Sequence, residues 1–183
     1  CAHIHAYMEL IHALILGVVQ GIMEWIPISS QGVLAFIGTI GFGFTPEDAL
    51  EYALFLHVGT VAAALVYFRN EVKEIVLGQK NVQRNFLFWA MVGTAITGLP
   101  SYLFLKGLAG NVPLLLGVMG VGVFITGFLQ GTKKESHAEP LTRKNGILLG
   151  LGEGFSIIPG VSRSGITTAI LLGEGFSPAS AFR

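Results

Sequence analysis

The chain has 183 residues, 52% of them hydrophobic and only 12% charged, and its acidic and basic residues balance to a formal net charge of zero. A soluble domain carries about 25% charged residues, so this composition points to an integral membrane protein; with no basic run or patch, it excludes nucleic acid as a partner. The single cysteine, Cys1, excludes an internal disulfide and a thiolate metal site.

The opening CAHIHAYMEL lacks a positive n-region and a small-residue cleavage site, so it does not read as a signal peptide. Met8 reads as a native start, residues 1–7 as an upstream or fused tail, and His3, His5 and His12 as part of a surface tail or of the approach to the first helix. From Leu10 to Ile40 the chain is apolar but interrupted at IPISSQG. GFGFTPEDAL then reads as a loop in which Thr45 caps a helix started by Pro46, with Glu47 and Asp48 favouring its first turn. Three stretches, Tyr52 to Phe68, Phe86 to Leu105 and Pro113 to Gln130, have the length of membrane-crossing helices, roughly 20 residues. A second broken apolar region, Gly146 to Phe176, is interrupted at IPGVSRSG. Each half of a broken region is short for a span, which suits a re-entrant pair or a discontinuous helix. The small-residue runs Gly117 to Gly127 and Gly146 to Gly154 predict close helix packing rather than a nucleotide loop.

Arg69, Lys73, Lys80 and Arg84 fall in one connection, and Lys133, Lys134, Arg143 and Lys144 in another, whereas 42–51 has no Lys or Arg. The positive-inside rule places both basic connections in the cytoplasm and 42–51 outside. The two broken regions then enter from opposite sides. Aligning Leu16, Gly17, Gly21, Ser29 and Gly32 with Leu149, Gly150, Gly154, Ser162 and Gly165 also sets Gln20 against Glu153. The expected architecture is an all-α membrane protein with two broken or re-entrant regions related as an inverted-topology repeat, the site lying where the breaks face each other.

The breaks carry the chemistry. An arginine at bilayer depth costs several kcal/mol unless it faces protein or water and has an anionic partner, so Arg163 is a functional candidate; its bland reading is a structural ion pair with Glu153 or Glu24. Two hydroxyls, a five-donor guanidinium and a helix start make PGVSRSG suitable for holding phosphate. In the first break, Gln20 and Glu24 share a helix face directed towards Ser29 and Ser30. Glu24 is a candidate cation ligand or general base, and Ser29 or Ser30 a candidate nucleophile or phosphate ligand, against the ordinary reading of serine after proline as turn chemistry. His57 is read as a helix-packing or interfacial residue rather than a ligand.

LILGVVQGIMEWIPISSQG together with IIPGVSRSGITT resembles the undecaprenyl-pyrophosphate phosphatase family, the bacitracin-resistance type of membrane lipid-carrier phosphatase. The matching positions are Gln20, Glu24, Pro27, Ser29 and Ser30, then Pro159, Gly160, Ser162, Arg163, Ser164 and Thr167, and LHVGTVAAALVYFRNEV is similar to the family's next span. The resemblance implies hydrolysis of a polyprenyl diphosphate, undecaprenyl or dolichyl-like, to the monophosphate and phosphate. It further implies Mg²⁺ or Ca²⁺, a plasma-membrane location with the site opening outwards, and roles in carrier recycling and antibiotic resistance. Arg163 would hold the diphosphate; Ser30 would be nucleophile or ligand; Glu24 and Gln20 would be the metal or base side; Ser29, Ser162, Ser164 and Thr167 would bind substrate. Two departures stand out. Val33 occupies a position where the family commonly has histidine, which shifts proton work to Glu24 or weakens activity. The chain also stops at Arg183 where relatives continue, so residues 8–183 read as one C-terminally truncated membrane domain: a first repeat (about 8–68), a middle hairpin (about 85–131) and the start of a second repeat (about 145–183). The partners are the lipid diphosphate, the bilayer and, as a homodimer, a second copy of the chain. The alternative reading is an inverted-repeat transporter or flippase for a lipid phosphate or other anion.

Overall fold

The structure is a computed structural model that describes residues 2–108, 111–130 and 141–181. Cys1, Lys133, Lys134 and Arg183 lie outside the described residues, as do the side chains of His3, His5 and Met8. Among the described residues all regular structure is helical, as the composition predicts.

Helix α1 (Ala2–Met23) ends just before Pro27, which cannot donate to a helical bond and restricts the residue before it. Ser29 caps α2 (Ser30–Phe36), its hydroxyl accepting from the Gly32 N–H at 3.2 Å, and a π-helical turn, Ile37–Gly41, extends it. Thr45 caps α3 (Pro46–Tyr67) as predicted: its hydroxyl accepts from the Asp48 N–H at 3.1 Å and donates to the Asp48 carboxylate at 2.7 Å. This cap starts the helix ahead of the expected Tyr52. The first basic connection is not all loop, because Arg69–Val76 forms a short helix, α4. Helix α5 (Asn81–Leu108) runs 28 residues, about 42 Å at the usual rise, and extends the predicted span at both ends. It is followed by α6 (Val112–Gln130), α7 (Arg143–Glu153) with a 3₁₀ turn at Gly154–Ile157, α8 (Arg163–Gly173) and α9 (Pro178–Ala181).

Two helices, α3 and α5, are long and apolar enough to cross a membrane. The third predicted span exists as α6, but its apolar stretch, Pro113–Leu129, is shorter. Large apolar side chains stay on the outside of both long helices, Phe55, Val66 and Tyr67 on α3 and Met91 and Leu99 on α5. In water such a surface would be a liability; against hydrocarbon it is the expected exterior.

The interior divides into two small cores. Leu16, Leu34 and Ala53 join α1, α2 and α3, and Phe86, Ala90 and Leu149 join α5 and α7. His12 lies inside the first unit rather than in a surface tail: its ring stacks on Phe42 at 4.1 Å between centroids. The second unit depends on backbone proximity. A Cβ on Gly146 would sit 2.6 Å from the Phe86 carbonyl oxygen, and one on Gly150 would collide with the Ala90 carbonyl. The predicted Gly146 to Gly154 packing is therefore present, and it lets α7 lie directly against α5. Of the Gly117 to Gly127 run, Gly122 makes such an approach, to Val161, whereas Gly117, Gly120 and Gly127 face open space.

Replacing Gly150 with alanine is expected to destabilise the protein by about 1–3 kcal/mol through overpacking. Gly117→Ala, into open space, should leave stability unchanged or raise it by up to about 1 kcal/mol through helix propensity. Thermal unfolding of both variants in detergent checks the contrast.

Candidate active site

Gln20 lies in the last turn of α1 and Glu24 immediately follows the helix, its N–H still bonding the Gln20 carbonyl at 3.0 Å. Past that turn the chain is irregular, and Glu24 projects into the break. Four side chains converge on its carboxylate. Oε2 accepts from the Gln20 amide at 3.0 Å and from the Ser30 hydroxyl at 2.8 Å, and Nε2 of His57 lies 3.2 Å from the same oxygen. Oε1 accepts from the Arg163 guanidinium. The Glu24 side chain is 9% exposed and the Arg163 side chain 51%, so the carboxylate is enclosed while much of the guanidinium fork stays open.

Of the two carboxylates considered as partners for Arg163, the structure selects Glu24. Glu153 instead accepts from the Thr94 hydroxyl of α5 at 3.2 Å. A second contact ties the breaks together: the Ser164 hydroxyl donates to the Ile26 carbonyl at 3.0 Å. Ser162 caps α8, accepting from the Gly165 N–H at 3.1 Å. Its own N–H donates to the Thr126 hydroxyl of α6 at 3.3 Å, and its hydroxyl lies 3.1 Å from that of Ser164. Ser29 and Ser162, which the repeat alignment superposes, thus perform the same capping task at the start of α2 and α8. At Gly160, within the second break, φ is +94° and an added Cβ would strike the Met119 carbonyl, so only glycine fits this turn beside α6.

A cavity of about 220 Å³ opens between the breaks, its polar wall including Glu24, Ser29, Ser30, Ser162, Arg163 and Ser164. Two predicted residues stand apart from it. Gln20 is buried behind Glu24, and the Thr167 hydroxyl turns back to the Arg163 carbonyl at 2.9 Å, lining an adjoining cavity of about 420 Å³ together with Glu24, Glu153 and Arg163.

His57 is the residue that sequence reasoning assigned to packing and the structure brings to the site. It lines the same cavity, on α3, opposite the breaks. Its sequence signal is faint, a single polar ring in an apolar span; nothing local shows that α3 faces Glu24.

Among the described residues no group of three or more His, Cys, Asp and Glu side chains comes together, so no closed all-protein metal cage forms there. The donor chemistry nevertheless suits a hard cation. Glu24 offers carboxylate oxygen, and the Gln20 Oε1 beside it is buried without a hydrogen-bond partner. Mg²⁺ is commonly bound in this way, by one or two carboxylates with substrate phosphates and water filling the remaining positions.

The described residues make a helical protein with two helices of membrane-spanning length and a site that gathers an enclosed carboxylate, an open guanidinium and serine hydroxyls. The chain belongs to the family of the bacitracin resistance protein BacA, whose family model matches residues 13–183. Similar proteins named undecaprenyl-diphosphatase occur in Methanococcoides burtonii (37% identical, 96% of this chain and 72% of the relative) and Haloarcula marismortui (36% identical, 93% and 69%). Another, from Methanothrix thermoacetophila, is 40% identical over 92% of this chain and 66% of the relative.

Each capping serine is expected to contribute about 1 kcal/mol, so Ser29→Ala and Ser162→Ala should both lower the unfolding temperature. The loss should be larger for Ser162, which also contacts Ser164. Thermal unfolding of the two variants side by side measures the difference.

Proposed function

We propose that the chain is a membrane phosphatase that hydrolyses undecaprenyl or a related polyprenyl diphosphate to the monophosphate and inorganic phosphate, recycling the carrier for cell-envelope glycan synthesis. The observation that carries this reading is the convergence of Glu24, Ser30 and Arg163 on one cavity from two separate breaks. The relatives bear the name of this activity, which favours hydrolysis over the transporter reading.

Ser30 is the proposed nucleophile. Its hydroxyl is within hydrogen-bond reach of Glu24, the arrangement of a nucleophile with its base. As the serine oxygen bonds to the terminal phosphorus, its proton passes to Glu24. The bond to the bridging oxygen breaks, and the electron pair leaves with the lipid monophosphate; water then releases phosphate from the serine. Arg163 binds the diphosphate through the donors that Glu24 leaves free and stabilises charge on the transferring oxygens. Ser29, Ser162 and Ser164 are the proposed substrate-binding hydroxyls of this cavity, and Thr167 would bind substrate only through the adjoining cavity that it lines. Glu24 and Gln20 are the proposed side chains for a Mg²⁺ or Ca²⁺ ion, which when bound would neutralise phosphate charge.

The proposed setting is the plasma membrane, with α3 and α5 spanning it and the catalytic cavity open to the outer side. Residues 8–183 form one membrane domain in this proposal, with the two broken regions re-entrant and related by inverted topology. The matched caps at Ser29 and Ser162 support that relation. The proposed partners are the lipid diphosphate, the bilayer and a second copy of the chain.

Phosphate release from a C55 polyprenyl diphosphate in detergent with Mg²⁺ tests the assignment. Arg163→Ala and Ser30→Ala should each reduce kcat/KM by about 100-fold or more, in line with loss of charge stabilisation or of the nucleophile. Arg163→Lys should recover little, since a point charge lacks the planar fork. Unchanged release in Arg163→Ala would overturn the proposal.

A further inference from the structure

We propose that His57 is a positioning residue for the phosphatase reaction: it holds the Glu24 carboxylate so that Oε2 stays against the Ser30 hydroxyl once substrate has engaged Arg163. The inference rests on the phosphatase reading above and adds a residue from a third helix to the site.

Both ring nitrogens of His57 are committed. Nδ1 lies 2.7 Å from the Ala53 carbonyl oxygen, one turn earlier on α3, and Nε2 lies 3.2 Å from Glu24 Oε2. A carbonyl and a carboxylate oxygen both only accept, so a ring that makes both contacts carries a hydrogen on each nitrogen, Nδ1–H donating to Ala53 and Nε2–H to Glu24. The Ala53 anchor is itself immobile, being fully buried with Leu16 and Leu34 where α1, α2 and α3 meet. The ring is therefore fixed to the core at one nitrogen and to the site at the other.

Glu24 needs such a hold. It sits where α1 gives way to irregular chain, so its side chain is placed by contacts and not by a continuing helix. Among the described residues, the other groups that hold Oε2 are Gln20 and Ser30, from the segments immediately on either side of it in the chain. Arg163 engages the other oxygen, and that contact is the one a diphosphate would disturb by drawing on the same guanidinium. His57 then retains the carboxylate on the Ser30 side while Arg163 turns to phosphate. Its influence falls on the bound state, so its loss should appear in kcat more than in KM.

The competing role is simple packing between helices. His57→Gln and His57→Asn separate the two, since both are neutral amides of moderate size. The Gln amide reaches the position of Nε2; the shorter Asn amide reaches only that of Nδ1. In phosphate release from a C55 polyprenyl diphosphate, His57→Asn is expected to lower kcat by about 10–100-fold, a typical effect of misplacing a catalytic group, with KM within about threefold. His57→Gln should recover most of the activity, and unfolding temperatures should match. His57→Met, similar in bulk and without a donor, should behave as His57→Asn and serves if that variant does not fold. Wild-type kcat in both donor-deficient variants would overturn the inference while leaving the phosphatase reading intact. Equal losses in Gln, Asn and Met variants, tracking the loss of thermal stability, would also overturn it in favour of packing. Absence of phosphate release from folded wild type would overturn the phosphatase reading, and the inference with it.

Discussion

The contact between Glu24 and Arg163 joins two segments that the chain separates by most of its length. In surroundings this apolar neither charge is tolerable alone, and each pays part of the other's desolvation. Both partners sit at breaks, Glu24 just past the end of α1 and Arg163 at the start of α8. The capping serines follow from those breaks. Each break exposes a helix start whose N–H groups need acceptors, and Ser29 and Ser162 provide them. Joined by Ser164 and Ile26, the two starts form one polar floor inside an otherwise apolar molecule.

The scaffold around this floor is asymmetric. On one side, side chains of α1, α2 and α3 interlock around Ala53. On the other, α5 and α7 approach so closely that glycine is needed where their backbones meet. Close backbone approach is the appropriate solution where hydrocarbon surrounds the helices, since apolar side chains then gain little by hiding from their solvent. It also fixes the second break. The end of α7 is held against α5 by Thr94 and Thr97, the Thr94 hydroxyl donating to the Glu153 carboxylate at 3.2 Å and the Thr97 hydroxyl to the Leu151 carbonyl at 2.8 Å. That end of α7 leads through the 3₁₀ turn into the second break, from whose far side Arg163 reaches Glu24.

The cavity draws its chemistry from several elements, none sufficient alone. Glu24 and Ser30 provide a carboxylate and a hydroxyl within one short stretch, and they face each other because Pro27 and the Ser29 cap turn the chain between them. The histidine of α3 completes the enclosure of the carboxylate from outside that stretch. Val33, at the position where the family commonly has histidine, lies on α2 and is absent from this cavity wall, whereas the imidazole of His57 is part of it.

The sequence by itself determined what was local. The long apolar stretches set the spanning helices, Thr45 with Pro46 set the start of α3, and the prolines, serines and glycines of IPISSQG and IPGVSRSG marked both breaks. Charge in an apolar setting marked Glu24 and Arg163 as a site, because the penalty for burying such groups is severe wherever they lie. Only the tertiary structure decided what depended on which helix faces which. It chose Glu24 over Glu153 as the partner of Arg163, sent Thr167 towards the adjoining cavity, put His12 into an aromatic stack and brought His57 to the carboxylate. It also turned the first basic connection partly into helix α4. Capping and chain breaking act over three or four residues and leave a mark in the local sequence. The pairing of distant side chains is set by helix rotation and close packing, for which one residue in an apolar run carries no local sign.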